Sequence, residues 1–299
     1  MNVLVSGSSG LIGQALIPAL GSGGHRVHSL VRFKPQRGEP SVYWNPAEGE
    51  IDAARLQEFD AVIHLAGESI TGRWNATKKR AIRESRVKGT RLLCETMAGL
   101  SSRPRVLVAA SASGYYGDRG DEVLREESEA GSSFLAKVCQ DWEAATKRAA
   151  ESGLRVVNLR IGFVLSVAGG GLAKMLPAFK MGVGGKIGSG KQYVSWIAIA
   201  DLVQIILFAI STEVLKGPAN AAAPNPVTNS EFSKTLGRVL GRPAIFPMPA
   251  FVVRLAFGEM GEELLLASAR MEPARLLSAG YQFRFARLED ALRHSLRLG

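Results

Sequence analysis

The chain has 299 residues, of which 46% are hydrophobic and 21% are charged, so it can bury a full core, and disordered, collagen-like or coiled-coil classes are excluded. Glycine contributes 33 residues, well above the usual share of roughly 7%, and its clusters are typical of backbone that turns tightly or approaches a ligand. The formal net charge of +10 leaves phosphate-bearing ligands and nucleic acids as partner classes to weigh.

Short apolar strands alternate with helical patterns through the first half of the chain, which predicts a doubly wound parallel sheet of the Rossmann type. The predicted strands are Asn2–Ser6, Arg26–Val31, Asp60–Leu65, Arg105–Ser111 and Arg155–Leu159. The predicted helices between them are Leu11–Gly21, Lys78–Leu100 and Phe134–Ser152. The strands are rich in Val, Leu and Ile and mostly lack polar alternation, as expected for strands covered on both faces.

The second half of the chain has a different character. A glycine-rich stretch from Gly169 to Gly190 predicts a loop, and Ala198–Ile210 predicts another helix. Asn220–Asn229 is rich in Pro and Asn and predicts a linker, before a mostly helical region from Ser230 to Leu298. We therefore expect a nucleotide-binding domain over 1–165, which also uses about 195–222, and a small cap formed by 166–194 and 223–299.

The chain shows no signal for export or membrane insertion. Met1 runs directly into the first strand, without a charged segment and a cleavable apolar stretch. The longest apolar stretches, such as Ile205–Ile210, are far shorter than the ~18 residues of a membrane span. The two cysteines, Cys94 and Cys139, are too few for a disulfide framework, so we expect buried thiols in a soluble, cytoplasmic protein without a membrane partner.

A basic run lies between Arg73 and Arg91, where eight Lys and Arg residues accompany only one acidic residue, Glu84. Such a run could bind nucleic acid. Trp74 is its only aromatic residue, which is too few for base stacking, and no nucleic-acid-binding motif accompanies the charge. We favour a solvated helix face beside a phosphate-bearing ligand.

The strongest motif is a GxxGxxG turn between the first strand and the first helix. Glycine lets the chain reverse, lets a pyrophosphate approach the backbone and lets the helix pack on the strand, while the helix N-terminus offers free N–H groups. Strand, helix and next strand fall within about thirty residues, as dinucleotide binding requires. The residues we assign to this contact are Gly7, Ser9, Gly10, Leu11, Ile12 and Gly13.

The end of the second strand decides between the two nicotinamide dinucleotides. An acidic residue there would hydrogen-bond the ribose of NAD, but the strand ends at Val31 and Arg32 follows. A guanidinium pairs well with a 2′-phosphate. The sequence therefore predicts NADP(H) as the cofactor, with Val31 and Arg32 in contact with it.

These motifs resemble the short-chain dehydrogenase/reductase superfamily in its extended and atypical branches. The chain also resembles, over both ends and the middle, an atypical epimerase subgroup of the NAD-dependent epimerase/dehydratase family that carries a small C-terminal domain of unknown function. The segments that carry this closer resemblance are Leu65–Ile70, Arg73–Asn75, Ser85–Val87, Asp141–Glu143, Leu159–Leu165, Gly188–Gly190, Trp196–Ile197, Asp201–Leu202 and Pro247–Phe283.

The resemblance implies further cofactor contacts. His64-Leu65-Ala66-Gly67 is similar to the Asn-x-Ala-Gly turn beneath the adenosine half of the cofactor, with His64 at the Asn position. Ser85-Arg86-Val87-Lys88-Gly89-Thr90 is similar to a segment in which Arg86 replaces Asn, and Arg160 leads toward the nicotinamide side. The contacts implied are Leu65, Ala66, Gly67, Glu68, Arg86 and Arg160.

The catalytic motif of the superfamily is missing. Active members place a Tyr four residues before a Lys, where the Lys lowers the pKa of the Tyr, but Ser133 stands four residues before Lys137 here. As replacements the sequence offers Ser111 or Ser113 to orient a hydroxyl, Tyr116 as acid/base and Lys137 as the cationic neighbour. Glu68 is an alternative proton carrier, and packing or solvated roles for Tyr116 and Lys137 remain open.

We expect an NADP-binding oxidoreductase or epimerase that acts on a small polar, sugar-nucleotide-like substrate whose identity the sequence does not specify. The alternative is an NADP-dependent sensor or regulatory protein without turnover, similar to relatives described as cell-division inhibitors. No His, Cys or carboxylate spacing predicts a metal site. Nucleic-acid binding ranks below both hypotheses, and the resemblance implies homodimerisation through the helices that contain Lys78 and Phe134.

Overall fold

A computed structural model describes residues 1–36 and 38–297. The strands, in chain order, are β1 (Asn2–Ser6), β2 (Arg26–Val31), β3 (Ser41–Asn45), β4 (Glu50–Ile51), β5 (Ala61–His64), β6 (Val106–Ala112), β7 (Val123–Leu124), β8 (Arg155–Ile161), β9 (Phe163–Leu165), β10 (Tyr193–Val194), β11 (Trp196–Ala198), β12 (Gly217–Ala221), β13 (Val227–Thr228) and β14 (Arg270–Met271).

The α-helices, in chain order, are α1 (Leu11–Ser22), α2 (Ala53–Leu56), α3 (Ala76–Ala98), α4 (Phe134–Ala144), α5 (Lys147–Glu151), α6 (Gly170–Lys180), α7 (Ile199–Ser211), α8 (Asn229–Leu240), α9 (Ala250–Phe257), α10 (Glu259–Gly261), α11 (Ala274–Ser278) and α12 (Leu288–Ser295). A 3₁₀ turn covers Ser113–Tyr116 and a π-helical turn covers Glu262–Leu266. None of these helices is long and apolar enough to cross a membrane.

The main sheet has the strand order β12-β8-β6-β5-β1-β2-β3-β4 within the described residues, and it is parallel except for the β3–β4 pair. Alternate residues of each strand face opposite layers. Val3 and Val5 pack with helices α1 and α7 on one face, whereas Leu4 packs with α3 on the other. The chain thus forms the doubly wound, Rossmann-like sheet that its apolar strands predict, and the carboxyl ends of the central strands share one edge.

The mostly helical C-terminal region packs its own core against that edge. Leu172, Phe179, Phe232 and Leu292 lie in one buried cluster that joins α6, α8 and α12. Asp201 of α7 ties this region to the sheet, because its buried carboxylate accepts hydrogen bonds from backbone amides of the segment before α12, at Arg284 and Phe285. A second layer of residues is therefore fixed over the carboxyl edge of the strands.

One predicted helix is two. Phe134–Ser152 is interrupted between Ala144 and Lys147, because Thr146 turns inward instead of continuing the helical ladder. Its hydroxyl donates to the carbonyl of Glu143 and accepts a hydrogen bond from Asn158 of β8. A side chain that bonds the preceding turn bends or ends a helix.

Two predicted irregular stretches contain regular structure. The stretch from Gly169 to Gly190 holds helix α6, since Leu172, Leu176 and Phe179 present a helical apolar stripe to the cap core. The predicted linker 220–229 begins inside the edge strand β12 and ends where α8 starts. The prediction also missed β3, a short strand beyond β2. The last two residues of the predicted helical region, Leu298 and Gly299, lie outside the described residues.

Candidate cofactor and substrate site

The glycine turn after β1 is shaped by backbone contacts that exclude side chains. Gly7 has φ +69°, and a Cβ there would lie 2.8 Å from the carbonyl carbon of Leu65. A Cβ on Gly13 would lie 2.6 Å from the Ser8 carbonyl oxygen. Gly10 begins α1 without any side-chain cap. The helix N-terminus, with Ser9, Leu11 and Ile12 around it, is therefore a cradle that fits a pyrophosphate.

A buried polar network holds the neighbouring turn at Leu65–Gly67. Ser6 Oγ accepts the backbone N–H groups of Leu65 and Ala66 at 3.1 and 3.2 Å, so its own hydrogen is directed to His64 Nδ1 at 2.7 Å. His64 Nε2 then donates to Thr90 Oγ1 at 3.0 Å. Burial lowers the pKa of His64 from 6.5 to about 4. The imidazole is neutral and ties β1, β5 and α3 together beside the glycine turn.

Cations surround the far end of this cradle. Arg32 is exposed directly after Val31, the last residue of β2. The Arg86 guanidinium lies over Gly67, where a Cβ would be 3.1 Å from its Cζ, and donates to the carbonyl oxygens of Glu68 and Ile82. Burial lowers the pKa of Arg86. In the described part of the chain neither arginine has a carboxylate partner, which fits phosphate binding.

Glu68 is committed to an ion pair. Its carboxylate accepts from Lys78 Nζ at 2.7 Å and is 45% exposed. The hydrogen bond from Lys78, with the nearby charges of Arg86 and Arg32, lowers the pKa of Glu68. A carboxylate held ionised in this way is a poor proton donor near neutral pH, so the geometry does not favour Glu68 as the alternative proton carrier.

Within the described residues, four of the eight cations between Arg73 and Arg91 form ion pairs, and three of these pairs, including that of Lys78, use carboxylates from outside the run. Lys79 pairs with Glu259 at 2.6 Å, Arg83 with Asp141 at 2.8 Å and Lys88 with Glu84 at 3.3 Å. These ion pairs interrupt the row of positive charges that the sequence alone shows. This pairing is more typical of a solvent-exposed helix face than of a surface that binds nucleic acid.

The space between the carboxyl edge of the sheet and the C-terminal region forms a cleft, and on its half away from the glycine turn a buried ion pair joins β8 to α4. Arg160 donates to both carboxylate oxygens of Glu143 at 2.9 Å, and the two side chains are 3% and 13% exposed. Burial by itself would lower the pKa of Arg160, but the hydrogen bonds and charge of Glu143 outweigh it and raise that pKa. Ser111 donates to the same carboxylate at 2.7 Å. The side chains of Arg160 and Ser111 are thus occupied within the protein.

Tyr116 is fully buried and belongs to the same network. Its hydroxyl lies 2.7 Å from Asn220 Oδ1 and accepts from Arg160 Nη1 at 2.9 Å. Burial raises the pKa of Tyr116 to about 12. Lys137 is exposed on the first turn of α4, and no hydrogen bond joins it to Tyr116. The structure therefore links Ser111 to Tyr116 through Glu143 and Arg160, whereas Lys137 makes no hydrogen bond to this network within the described residues. Ser113, the other candidate hydroxyl, lines the cavity described next.

A cavity of about 300 Å³ opens at the carboxyl edge of β6 and β8, between the sheet and the C-terminal region. Ser113 and Ser133 line it from the Rossmann side, and Glu263 lines it from the π-helical turn. Glu263 accepts from Ser133 Oγ and from the Phe134 and Leu135 amides at 2.8–2.9 Å. This carboxylate occupies the N-terminus of α4, where the superfamily motif would have its Tyr.

Sequence reasoning missed Glu263 because 130 residues separate it from Ser133. No local motif marks it, and the absent Tyr at position 133 was the one signal that pointed to this place. The buried cysteines agree with expectation: burial raises the pKa of Cys94 and Cys139 to about 12. Across residues 1–36 and 38–297, no cluster of three or more His, Cys, Asp or Glu side chains could hold a metal ion.

Comparison with known families matches this geometry. The profile of the NAD dependent epimerase/dehydratase family covers residues 3–221, and the profile of a domain of unknown function covers residues 248–295. The chain belongs to the NAD dependent epimerase/dehydratase family. The predicted family, its Rossmann-type fold and its extra C-terminal domain are thereby confirmed.

Relatives of known sequence and structure are similar over the whole chain. An epimerase family protein of Mycobacterium tuberculosis is 44% identical over 97% of this chain and 96% of its own length. The crystal structure of human epimerase family protein SDR39U1 with NADPH superposes with a TM-score of 0.89 at 34% identity, with full coverage of both chains. The crystal structure of a nucleoside-diphosphate sugar epimerase from Corynebacterium glutamicum superposes with a TM-score of 0.80 at 41% identity, and the match covers 99% of this chain and 58% of that one.

Proposed function

We propose that the protein is an NADP(H)-dependent oxidoreductase or epimerase of the atypical short-chain dehydrogenase/reductase type, acting on a small substrate in the cavity beside Glu263. The observation that carries the proposal is the side-chain-free cradle at Gly7, Gly10 and Gly13, beside which lie Arg32 and Arg86, two arginines without a carboxylate partner among the described residues. The human relative that was crystallised with NADPH supports the choice of cofactor.

Each part of the proposed cofactor site has its own task. The N-terminus of α1 binds the pyrophosphate through backbone N–H groups, and the turn Leu65–Gly67 supports the adenosine half. Arg32 binds the 2′-phosphate, and Arg86 binds a second phosphate of the cofactor. Lys137, exposed at the start of α4, supplies a cation toward the nicotinamide ribose. Bound NADPH would supply the hydride, and the protein supplies orientation and proton management.

The hydrogen bonds of Tyr116 and Ser111 bear on whether the protein is an enzyme or a sensor. The Tyr116 hydroxyl is hydrogen-bonded to Asn220, and the Ser111 hydroxyl donates to Glu143. Because neither hydroxyl is free to protonate a substrate, these bonds support the alternative of an NADP-dependent sensor without turnover. Under that alternative, cofactor occupancy orders the cap instead of driving a reaction. Slow NADPH oxidation with a panel of carbonyl compounds separates the two. The enzyme hypothesis is supported if the unmodified protein turns over a carbonyl compound and Lys137→Met does not. The sensor hypothesis is supported if the unmodified protein binds NADPH and shows no turnover at all.

Calorimetric titration with NADPH and NADH tests the cofactor assignment. We expect NADPH to bind at least about tenfold tighter than NADH, which corresponds to ~1.4 kcal/mol. Arg32→Ala should remove this preference and leave NADH binding unchanged. Arg26→Ala is the matched control, since Arg26 is an exposed arginine at the opposite end of the same strand. Equal affinities for the two dinucleotides in the unmodified protein would refute the assignment.

Self-association remains part of the proposal because the resemblance implies it. The exposed groove between α3 and the α4–α5 pair is lined mainly by charged side chains, among them Arg83, Arg91, Asp141 and Glu151. A homodimer through these helices would have to match charges across its axis. Sedimentation equilibrium at low and high salt tests it, because an ionic interface weakens as salt rises.

A further inference from the structure

The cavity beside Glu263 has an unusual charge balance. Among the described residues that line it there is no Lys, Arg or His, whereas three carboxylates, Asp118, Glu262 and Glu263, face it. The rest of the lining is mostly apolar and includes Phe163, Phe232 and the 264–266 leucines. A cavity with this lining has no group that could neutralise a phosphate.

The acidic groups differ in how far they are compensated. Glu262 is paired with Arg254 at 2.6 Å, so its charge is cancelled locally. Within residues 1–36 and 38–297, the donors to Glu263 and Asp118 are neutral: Glu263 accepts from the Ser133 hydroxyl and the α4 amides, and Asp118 accepts from the amides of Ser268 and Gly120. The helix N-terminus offsets roughly half a charge at Glu263. The side chains that line the cavity therefore carry net negative charge.

The size of the cavity gives a second constraint. Its volume of about 300 Å³ is at the lower end of the range for small-molecule sites. It lies between β6 and the C-terminal region, so it can hold a compact group next to the nicotinamide end of the proposed cofactor cradle. A nucleoside diphosphate attached to a sugar would need additional space and cationic side chains that this lining does not provide.

We propose that this cavity takes a small, largely apolar carbonyl or alcohol that is neutral or positively charged, and that it excludes nucleotide-diphosphate sugars. Glu263 is the residue that sets this specificity, because its carboxylate is anchored across the cavity wall at the position of the missing Tyr. The reaction at this site rests on the proposed function, whereas the charge and size of the ligand that the cavity prefers do not depend on it. It narrows the substrate class away from the sugar nucleotide that the family resemblance implies.

The test uses three probes of nearly equal shape and different charge: benzylammonium, benzyl alcohol and benzoate. Each probe is titrated into the protein saturated with NADPH. NADPH does not reduce an alcohol, an ammonium group or a carboxylate, so binding is measured without turnover. We expect benzylammonium to bind best and benzoate to bind at least about tenfold more weakly. UDP-glucose, titrated in parallel, should bind more weakly than benzyl alcohol.

A charge variant identifies the residue responsible. Glu263→Gln should reduce the preference for benzylammonium over benzoate several-fold. Asp118→Asn should act in the same direction, which keeps the test valid if Glu263→Gln does not fold. Glu259→Gln is the matched control, since Glu259 lies three residues before Glu262, pairs with Lys79 and does not line the cavity. Its charge preference should equal that of the unmodified protein.

Three results would overturn the proposal: UDP-glucose binding tighter than benzyl alcohol, benzoate binding as well as benzylammonium, or no binding of any small probe at about 10 mM. Failure of the proposed function is a different result. If NADPH itself does not bind, the same probes are titrated into the free protein. The order of the three affinities then still decides the charge preference of the cavity.

Discussion

Two buried polar networks support the two halves of the cleft, and they differ in charge. The half proposed to bind the cofactor, called the cofactor half, rests on Ser6, His64 and Thr90, all neutral and joined by hydrogen bonds of 2.7–3.0 Å. The half proposed to bind the substrate, called the substrate half, rests on the Glu143–Arg160 ion pair, which also holds Ser111 and Tyr116. Both networks lie under the carboxyl ends of parallel strands.

The difference shows how each half keeps its shape. A neutral network costs little desolvation, but it depends on one protonation state of His64. An ionic network is insensitive to moderate pH, but each charge relies on its partner. We therefore expect acid to lower the free energy of unfolding through the cofactor half. Removal of one charge should lower it through the substrate half.

Removing Glu143 should have the largest effect on stability. Glu143→Ala leaves Arg160 buried without a carboxylate partner, and a buried ion pair that loses one member typically costs about 3–5 kcal/mol. Urea unfolding monitored by circular dichroism gives the free energy of unfolding. The double variant Glu143→Leu with Arg160→Met should recover most of that loss, because it removes both charges. A loss below about 1 kcal/mol in Glu143→Ala would show that the ion pair does not carry this half.

Acid should weaken the cofactor half through His64. Its pKa is lowered from 6.5 to about 4, so between these pH values the unfolded chain binds a proton that the folded chain does not. The free energy of unfolding therefore falls as pH drops from 6.5 toward 4, by about 3 kcal/mol from this group, and is unaffected by it above pH 6.5.

Urea unfolding at pH 7 and at pH 4.5 measures this loss. His64→Gln is the comparison, since it lacks the titrating ring and keeps the other histidines. The difference in pH dependence between the two proteins isolates His64. Identical pH dependence in both would show that His64 is not held neutral.

The cofactor half also depends on its glycines. Gly13→Ala places a Cβ against the backbone of Ser8, and the turn has to open to accept it. We expect NADPH binding to weaken by more than about 100-fold, or ~2.7 kcal/mol. Gly21→Ala is the control within the same helix, because apart from the nearby backbone of its own helix no described atom lies within 4 Å of a Cβ there. It should leave NADPH affinity unchanged and raise stability slightly.

The sequence predicted the fold around the glycine turn well because its signals are local. The glycine turn, β1 and α1 are consecutive, so spacing alone identifies Gly7, Gly10 and Gly13, and their backbone contacts have the expected form. The five predicted central strands are present, with bounds that shift by at most two residues. Apolar runs covered on both faces have few alternatives to a parallel sheet.

The substrate half was less predictable because distant segments build it. Glu263 meets Ser133 across 130 residues, and Tyr116 meets Asn220 across 104. Tyr116 follows a strand in a position typical of the active site, but its partners, which no spacing reveals, turn the side chain into the core. Thr146 likewise ends α4 through a contact with Asn158 that helical periodicity does not encode.

The last prediction separates a structural Tyr116 from a catalytic one. Tyr116→Phe removes a hydroxyl that accepts from Arg160 and donates toward Asn220, leaving buried partners unsatisfied at a cost of about 1–3 kcal/mol of unfolding free energy. Tyr115→Phe is the matched control, because the Arg160 guanidinium lies 3.4 Å from the centre of its ring and phenylalanine keeps that contact. With a structural Tyr116, NADPH affinity and any carbonyl-dependent NADPH oxidation stay within about twofold of the unmodified protein. A rate that collapses in Tyr116→Phe while affinity and folding are retained would instead assign the buried phenol to proton transfer, and the ionic network would then serve chemistry as well as shape.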